Sequence, residues 1–101
     1  MEKRKPTHDL AAIQSAIGSL ETLAITKTAY QDAIALGFTR NEIVETIKSI
    51  TSAMFFKSMT TYADNKVWQD VYHVPAEALT LYVKFQDDAV TEFRLISFKE
   101  K

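Results

Sequence analysis

Apolar residues recur at three- and four-residue spacing through the first half of the chain and at two-residue spacing through much of the second. Leu10, Ile13, Ile17 and Leu20 make one stripe and predict a first helix. Pro6 and Thr7 set up its start, with Thr7 or Asp9 as N-cap, and Gly18 weakens its far end. A second helix begins after Thr26 or Thr28, where Thr28 and Gln31 offer a capping box. Its Ala29, Ala33 and Leu36 share one face, Tyr30 and Ile34 the next, and Gly37 fits the position just past its end. Thr39 with Glu42 forms a second Thr-x-x-Glu box and opens a third helix that buries Ile43, Val44, Ile47 and Ile50. Between the first two helices, Glu21 to Thr26 is β-tolerant and fits an edge strand or an extended connector.

After Thr61 the period is two. Val67, Gln69 and Val71 fall on one side, and Trp68, Asp70 and Tyr72 on the other. Pro75 lacks a ladder donor, so His73-Val-Pro75-Ala-Glu77 reads as a loop. Leu79, Leu81, Val83 and Phe85 alternate with Thr80, Tyr82 and Lys84 as a half-buried strand. Asp87-Asp88 reads as a turn, and Thr91 to Phe98 as the last strand. Residues 1–6 read as a frayed arm with the basic cluster Lys3-Arg4-Lys5. Helices first and an antiparallel sheet after them predict an α+β fold, with residues 1–101 as one domain.

Composition narrows the function classes. The absence of cysteine excludes a disulfide scaffold, a thiolate metal site and a Cys nucleophile. No apolar run is long enough to cross a bilayer, and no apolar core follows the charged start as in a secretory signal, so a reducing cytosol is the expected compartment. Net charge is −1, with six basic and six acidic residues in positions 1–50 against six and seven in 51–101. Any polyanion site must therefore come from a few cations focused locally.

The two glycines lie far apart, which rules out a Gly-rich phosphate loop, and no His-Glu metal spacing occurs. Neither His8 nor His73 has a carboxylate partner evident in the sequence, and a loop histidine is ordinarily just solvated. The third helix offers Arg40, Asn41 and Lys48 beside acidic neighbours, a poor major-groove surface, so no direct DNA binding by this chain is expected. Met54 to Tyr72 is richer. It combines Lys57, Tyr62, Lys66, Gln69 and Tyr72 with Phe55, Phe56, Met59 and Trp68, the cations, amide, phenols and flat rings that hold a single-stranded nucleotide chain. Gln69 sits in a strand beside valine, where an amide needs a hydrogen-bond duty. Tyr82 is out of phase with the core residues of its strand and projects from the polar face. Trp68 and Tyr72 alternate away from Gln69, as core residues would. Each polar residue taken singly also fits an ordinary surface position.

Phe56-Lys-Ser-Met-Thr-Thr-Tyr62, Trp68-Gln-Asp-Val-Tyr72, Leu81-Tyr-Val-Lys84 and Ile96-Ser-Phe-Lys-Glu-Lys101, together with Met1-Glu-Lys-Arg4, closely resemble the MqsR family. These are bacterial toxins of toxin–antitoxin pairs with a RelE-like fold that cut messenger RNA at GCU-type sequences. The resemblance implies that Lys57, Gln69, Tyr82 and Lys99 are catalytic. It places Met59 in the same pocket, and Lys84, flanking Tyr82, is read as a second substrate-binding residue. The implied reaction is attack of the RNA 2′-OH on the adjacent phosphorus, without a metal or other cofactor. Tyr82 and Lys57 are candidates for the proton transfers, Lys99 for charge stabilisation and Gln69 for positioning. Both side-chain types ordinarily titrate near or above ~10, and neighbouring cations favour the neutral amine and the phenolate.

A cognate, MqsA-like antitoxin with a zinc domain and a helix-turn-helix domain is the implied partner. The chain departs from the family in its slight acidity and in having His73-Val-Pro75 where the family tends to continue with arginine. The competing reading is a weak or inactive RNA- or protein-binding module of the same fold.

Overall fold

Capping chemistry sets the helices. In the computed structural model, which describes residues 1–101, α1 spans Leu10–Ile17. Asp9 is its N-cap, accepting from the Ala11 N–H at 3.2 Å. Leu20 lies beyond the helix end at Gly18 and is exposed. α2 spans Lys27–Ala35 and is capped by Thr26, whose hydroxyl accepts from the Ala29 N–H. Thr28 therefore lies inside the first turn, and the Thr28–Gln31 box does not form. Gly37 takes φ 91°, a left-handed conformation that suits glycine, before the chain turns into α3, Arg40–Ser49. There the capping box is complete: the Glu42 N–H donates to Thr39 Oγ1 at 3.2 Å, and the Thr39 N–H to Glu42 Oε1 at 2.9 Å.

The strands are β1 (Glu2–Lys3), β2 (Phe55–Thr60), β3 (Trp68–Ala76), β4 (Leu79–Asp88) and β5 (Glu92–Glu100). They form one antiparallel sheet in the order β1-β2-β3-β4-β5. A single 3-10 turn at Ser52–Met54 leads into β2. The segment before α2 is a connector carrying one parallel bridge, Ile25 to Leu95. The result is an α+β fold.

Three expectations are corrected. The first residues are not a frayed arm: Glu2 and Lys3 pair with Met59 and Ser58. A buried polar knot secures them, because Asp70 accepts from Ser58 Oγ at 2.6 Å, the Thr7 N–H at 3.1 Å and the His8 N–H at 2.8 Å. His73 to Ala76 is strand rather than loop. β2 ends its pairing at Tyr72, so β3 is an edge at Pro75 and the missing N–H removes no bond on that side. The turn falls instead at Glu77–Ala78, with Glu77 at φ 54°. Finally, Asp87 and Asp88 continue β4, and the reversal lies at residues 89–91. Asp88 organises it by accepting from the Val90 and Thr91 N–H groups and the Thr91 hydroxyl.

The core lies on one face of the sheet. Ile13, Ile17, Ala29, Ala33, Ile43, Val44 and Ile47 of the helices pack with Tyr72, Val74, Leu81, Val83, Phe85, Leu95 and Phe98. Gln14 ties α1 to the end of α3 by donating to the carbonyls of Ile47 and Ile50. The helices therefore cover one side of the sheet, and the alternate positions of every strand face the other side. No helix is long and apolar enough to cross a membrane.

Candidate active site

Strand register gathers the candidate residues into three cross-strand rows on the helix-free face. One row runs His73, Tyr82, Lys99 across β3, β4 and β5. The next runs Lys57, Val71, Lys84, Ser97 across β2 to β5. The third runs Glu2, Met59, Gln69, Gln86, Arg94 across the whole sheet. Neighbouring strands stand roughly 4.8 Å apart, so residues far apart in sequence become adjacent. Lys57, Met59, Gln69, Tyr82, Lys84 and Lys99 all lie in these rows. At their centre is Val71, fully buried although it faces away from the helices, with the stems of Lys57 and Lys84 on either side.

Each polar group has a definite environment. The Gln69 side chain is nearly buried, and its Nε2 donates to Gln86 Oε1 at 2.8 Å. This amide pair answers the requirement for a hydrogen-bond duty and fixes Gln69 in place. The Lys57 ammonium pairs with the Glu2 carboxylate, and hydrogen bonding from Lys57 holds the Glu2 carboxyl below the usual carboxylate range. The Lys99 ammonium sits 5.5 Å from the centroid of the Tyr82 ring. Burial depresses the pKa of Lys84, and the nearby Lys99 and Lys57 cations push it further in the same direction.

The face also holds Phe56, one of the flat rings of the Met54–Tyr72 stretch, and His73, Glu2 and Arg4, which the sequence did not assign to it. Phe56 lies flat on His73, with ring centroids 4.1 Å apart and planes at 22°. Arg4 reaches over the same phenyl ring at 5.2 Å and donates to the Phe56 carbonyl. Burial, then the charges of Lys101 and Lys57, hold the His73 imidazole below its ordinary pKa. Extending the two-residue period of Gln69 and Val71 through Pro75 would have placed His73 on this face. Glu2 and Arg4 arrive only through long-range pairing of β1, for which two residues carry no periodic signal.

The other aromatics lie elsewhere. Tyr72 is buried in the core, and its phenol is pushed up to about 12 by burial and by the Asp70 and Asp9 charges. Trp68 is half-buried at the end of the core-side face, with the Lys3 ammonium 4.1 Å from its ring. His8 does have a carboxylate neighbour, since Nδ1 stands 3.4 Å from Asp70 Oδ2, but on the core side of the sheet. A cleft of ≈ 310 Å³ opens beside Lys57 and Met59, bounded by Glu2, Thr60 and the fully exposed Tyr62. The larger cleft, ≈ 630 Å³, lies between residues 21–25 and the β4–β5 turn and includes none of the candidate residues.

The fold and face define a class: an α+β protein whose open sheet face brings lysines, a phenol and an ordered amide together for a polyanionic substrate. The chain belongs to the MqsR toxin family. The family model described as "Motility quorum-sensing regulator, toxin of MqsA" matches residues 5–100. The chain is also 32% identical over 101 residues to the "mRNA interferase toxin MqsR" of Escherichia coli (strain K12), an alignment that covers 100% of both chains.

Proposed function

We propose that this chain is a cytoplasmic endoribonuclease toxin that cuts messenger RNA at GCU-like sequences without a metal ion, and that residues 1–101 act as one RelE-like domain. The carrying observation is the convergence of Lys57, Gln69, Tyr82 and Lys99 in three adjacent rows of one open sheet face. A relative aligned over the whole of both chains that bears the name mRNA interferase toxin supports the reading.

The RNA 2′-oxygen attacks phosphorus and the bond to the 5′-oxygen breaks, leaving a 2′,3′-cyclic phosphate and a 5′-OH. One proton must leave the 2′-OH and one must reach the departing oxygen. Tyr82 and Lys57 are candidates for these transfers. Lys99, beside Tyr82, stabilises the charge that builds on the phosphorane. Gln69, held by Gln86, positions a phosphate or sugar oxygen, while Met59 and Lys84 line the substrate path. A cognate antitoxin with a zinc domain and a helix-turn-helix domain neutralises the toxin.

Single alanine replacements of Lys57, Gln69, Tyr82 and Lys99, assayed on a GCU-containing messenger RNA, test the assignment. Each variant is expected to fold and to cleave more slowly. Wild-type rates in all four would refute the site, and RNA binding by the wild type without cleavage would point to the inactive module.

A further inference from the structure

We propose that His73 is a further catalytic residue of this face, the group that accepts the proton of the attacking 2′-OH. The inference rests on the nuclease reading above and refines it. Three features of geometry carry it. His73 is the register partner of Tyr82, which is in turn the partner of Lys99, so the imidazole occupies the same row as two residues of the site. Its ring centroid is 6.2 Å from that of Tyr82, and the stacked Phe56 fixes its plane. The ring is partly exposed, and no hydrogen bond or ion pair within the protein engages its nitrogens, so they can meet a substrate hydroxyl.

The chemistry suits the position. A base must be unprotonated before it acts, and imidazole is the side chain whose ordinary pKa, ~6.5, lies nearest neutrality. Burial, Lys101 and Lys57 hold His73 below that value, which keeps it neutral at pH 7. The surrounding charges come from every neighbouring element. Lys57 lies on β2, with Glu2 paired to it and Arg4 over Phe56; Tyr82 and Lys84 lie on β4; Lys99 and Lys101 lie on β5 and just beyond it. Glu2 is the lone carboxylate in this set, and Lys57 engages it.

In the step, the neutral imidazole takes the 2′-OH proton as the 2′-oxygen bonds to phosphorus. The bond to the 5′-oxygen breaks, and that oxygen receives a proton from Tyr82 or Lys57. Imidazolium then returns its proton to solvent or to the group that donated one.

The test is the pH dependence of kcat/KM for RNA cleavage, which reports groups of the free enzyme. Wild type should lose activity on the acid side with an inflection below the ordinary histidine value. That inflection should match the His73 titration followed by NMR in wild-type protein, with His8→Gln used to assign the two imidazoles. His73→Gln should cut kcat/KM roughly 10²- to 10⁴-fold and abolish the inflection, whereas H8Q should retain it. Wild-type cleavage whose acid limb does not track the His73 titration, or an H73Q profile that keeps the inflection, overturns the inference and leaves the nuclease reading standing. Absence of wild-type cleavage would overturn both.

Discussion

Tyr82 and Lys99 face each other across β4 and β5, with the ammonium 5.5 Å from the phenol ring centroid. The pair joins a proton-carrying hydroxyl to a fixed positive charge. Tyr82→Phe keeps the ring, the register and the cation–π contact, which is worth about 0.5–1 kcal/mol at an exposed site. It removes only the O–H. Cleavage is expected to fall roughly 10²- to 10⁴-fold with no change in the thermal midpoint. Single-turnover kinetics alongside a melting curve checks both halves, and a fully active Y82F would remove Tyr82 from proton transfer.

Glu2 engages the Lys57 ammonium before any substrate arrives. A phosphate approaching Lys57 must compete with that carboxylate. Glu2→Gln is therefore expected to tighten RNA binding at low ionic strength, and the gain should shrink as salt screens the site. Fluorescence anisotropy with a short, uncleavable RNA across a salt series measures it. Equal affinities at low salt would show that the ion pair imposes no cost on binding. Because Lys57 holds the Glu2 carboxyl below its usual range, the pair persists as pH falls through that range and is lost only at lower pH.

Lys84 lies half-buried with Lys57 and Lys99 nearby, and its ammonium is disfavoured by burial first and by those charges second. Lys84→Met keeps the stem and removes the charge. The protein should become more stable while binding RNA more weakly, an exchange of function for stability. Urea denaturation at pH 7 and the same anisotropy assay would detect it. A less stable K84M would contradict the stated cause of the shift.

The helices were legible because each carries its own signal: an apolar stripe, a Thr or Asp cap, and Gly37 at the α2–α3 turn. The α+β order and the core face of β4 were legible for the same reason. The errors lie where tertiary contacts override local chemistry. Pro75 breaks a central strand, yet here it sits where β3 has become an edge, and the loop reading hid His73 from the site. β1 exists because Asp70 gathers Ser58, Thr7 and His8, contacts that span more than fifty residues of sequence for Thr7 and His8. Of the site, Tyr82 and Gln69 were visible as polar side chains out of place in strands. Lys57 stood among the cations of the Met54–Tyr72 stretch, but it was singled out, as Lys99 was, only by resemblance, since a surface lysine has no distinctive pattern.

Asp70 gives a stability prediction independent of catalysis. Burial on its own would raise the carboxyl's pKa, but hydrogen bonds from His8, Ser58 and Thr7 outweigh it and the net shift is downward. The stabilisation is therefore present above the ordinary carboxylate value and is lost as pH falls through the lowered folded value. Asp70→Asn cannot accept from all of these donors and is expected to cost about 1–3 kcal/mol. Urea melts between pH 3 and 7 should show a flatter pH dependence for D70N than for wild type. Parallel curves would place the acid sensitivity elsewhere.

The central claim is that lysines, a phenol and an ordered amide on one sheet face cut RNA through its own 2′-OH. The most direct measurement is end-group analysis after incubating the purified protein with a GCU-containing messenger RNA in EDTA. The account predicts discrete cuts that leave a 2′,3′-cyclic phosphate and a 5′-OH, and no cut where the nucleotide 5′ to the scissile phosphate carries a 2′-deoxy sugar. Products with a 3′-OH and a 5′-phosphate, cleavage abolished by EDTA, or cleavage that persists at the 2′-deoxy position would contradict it.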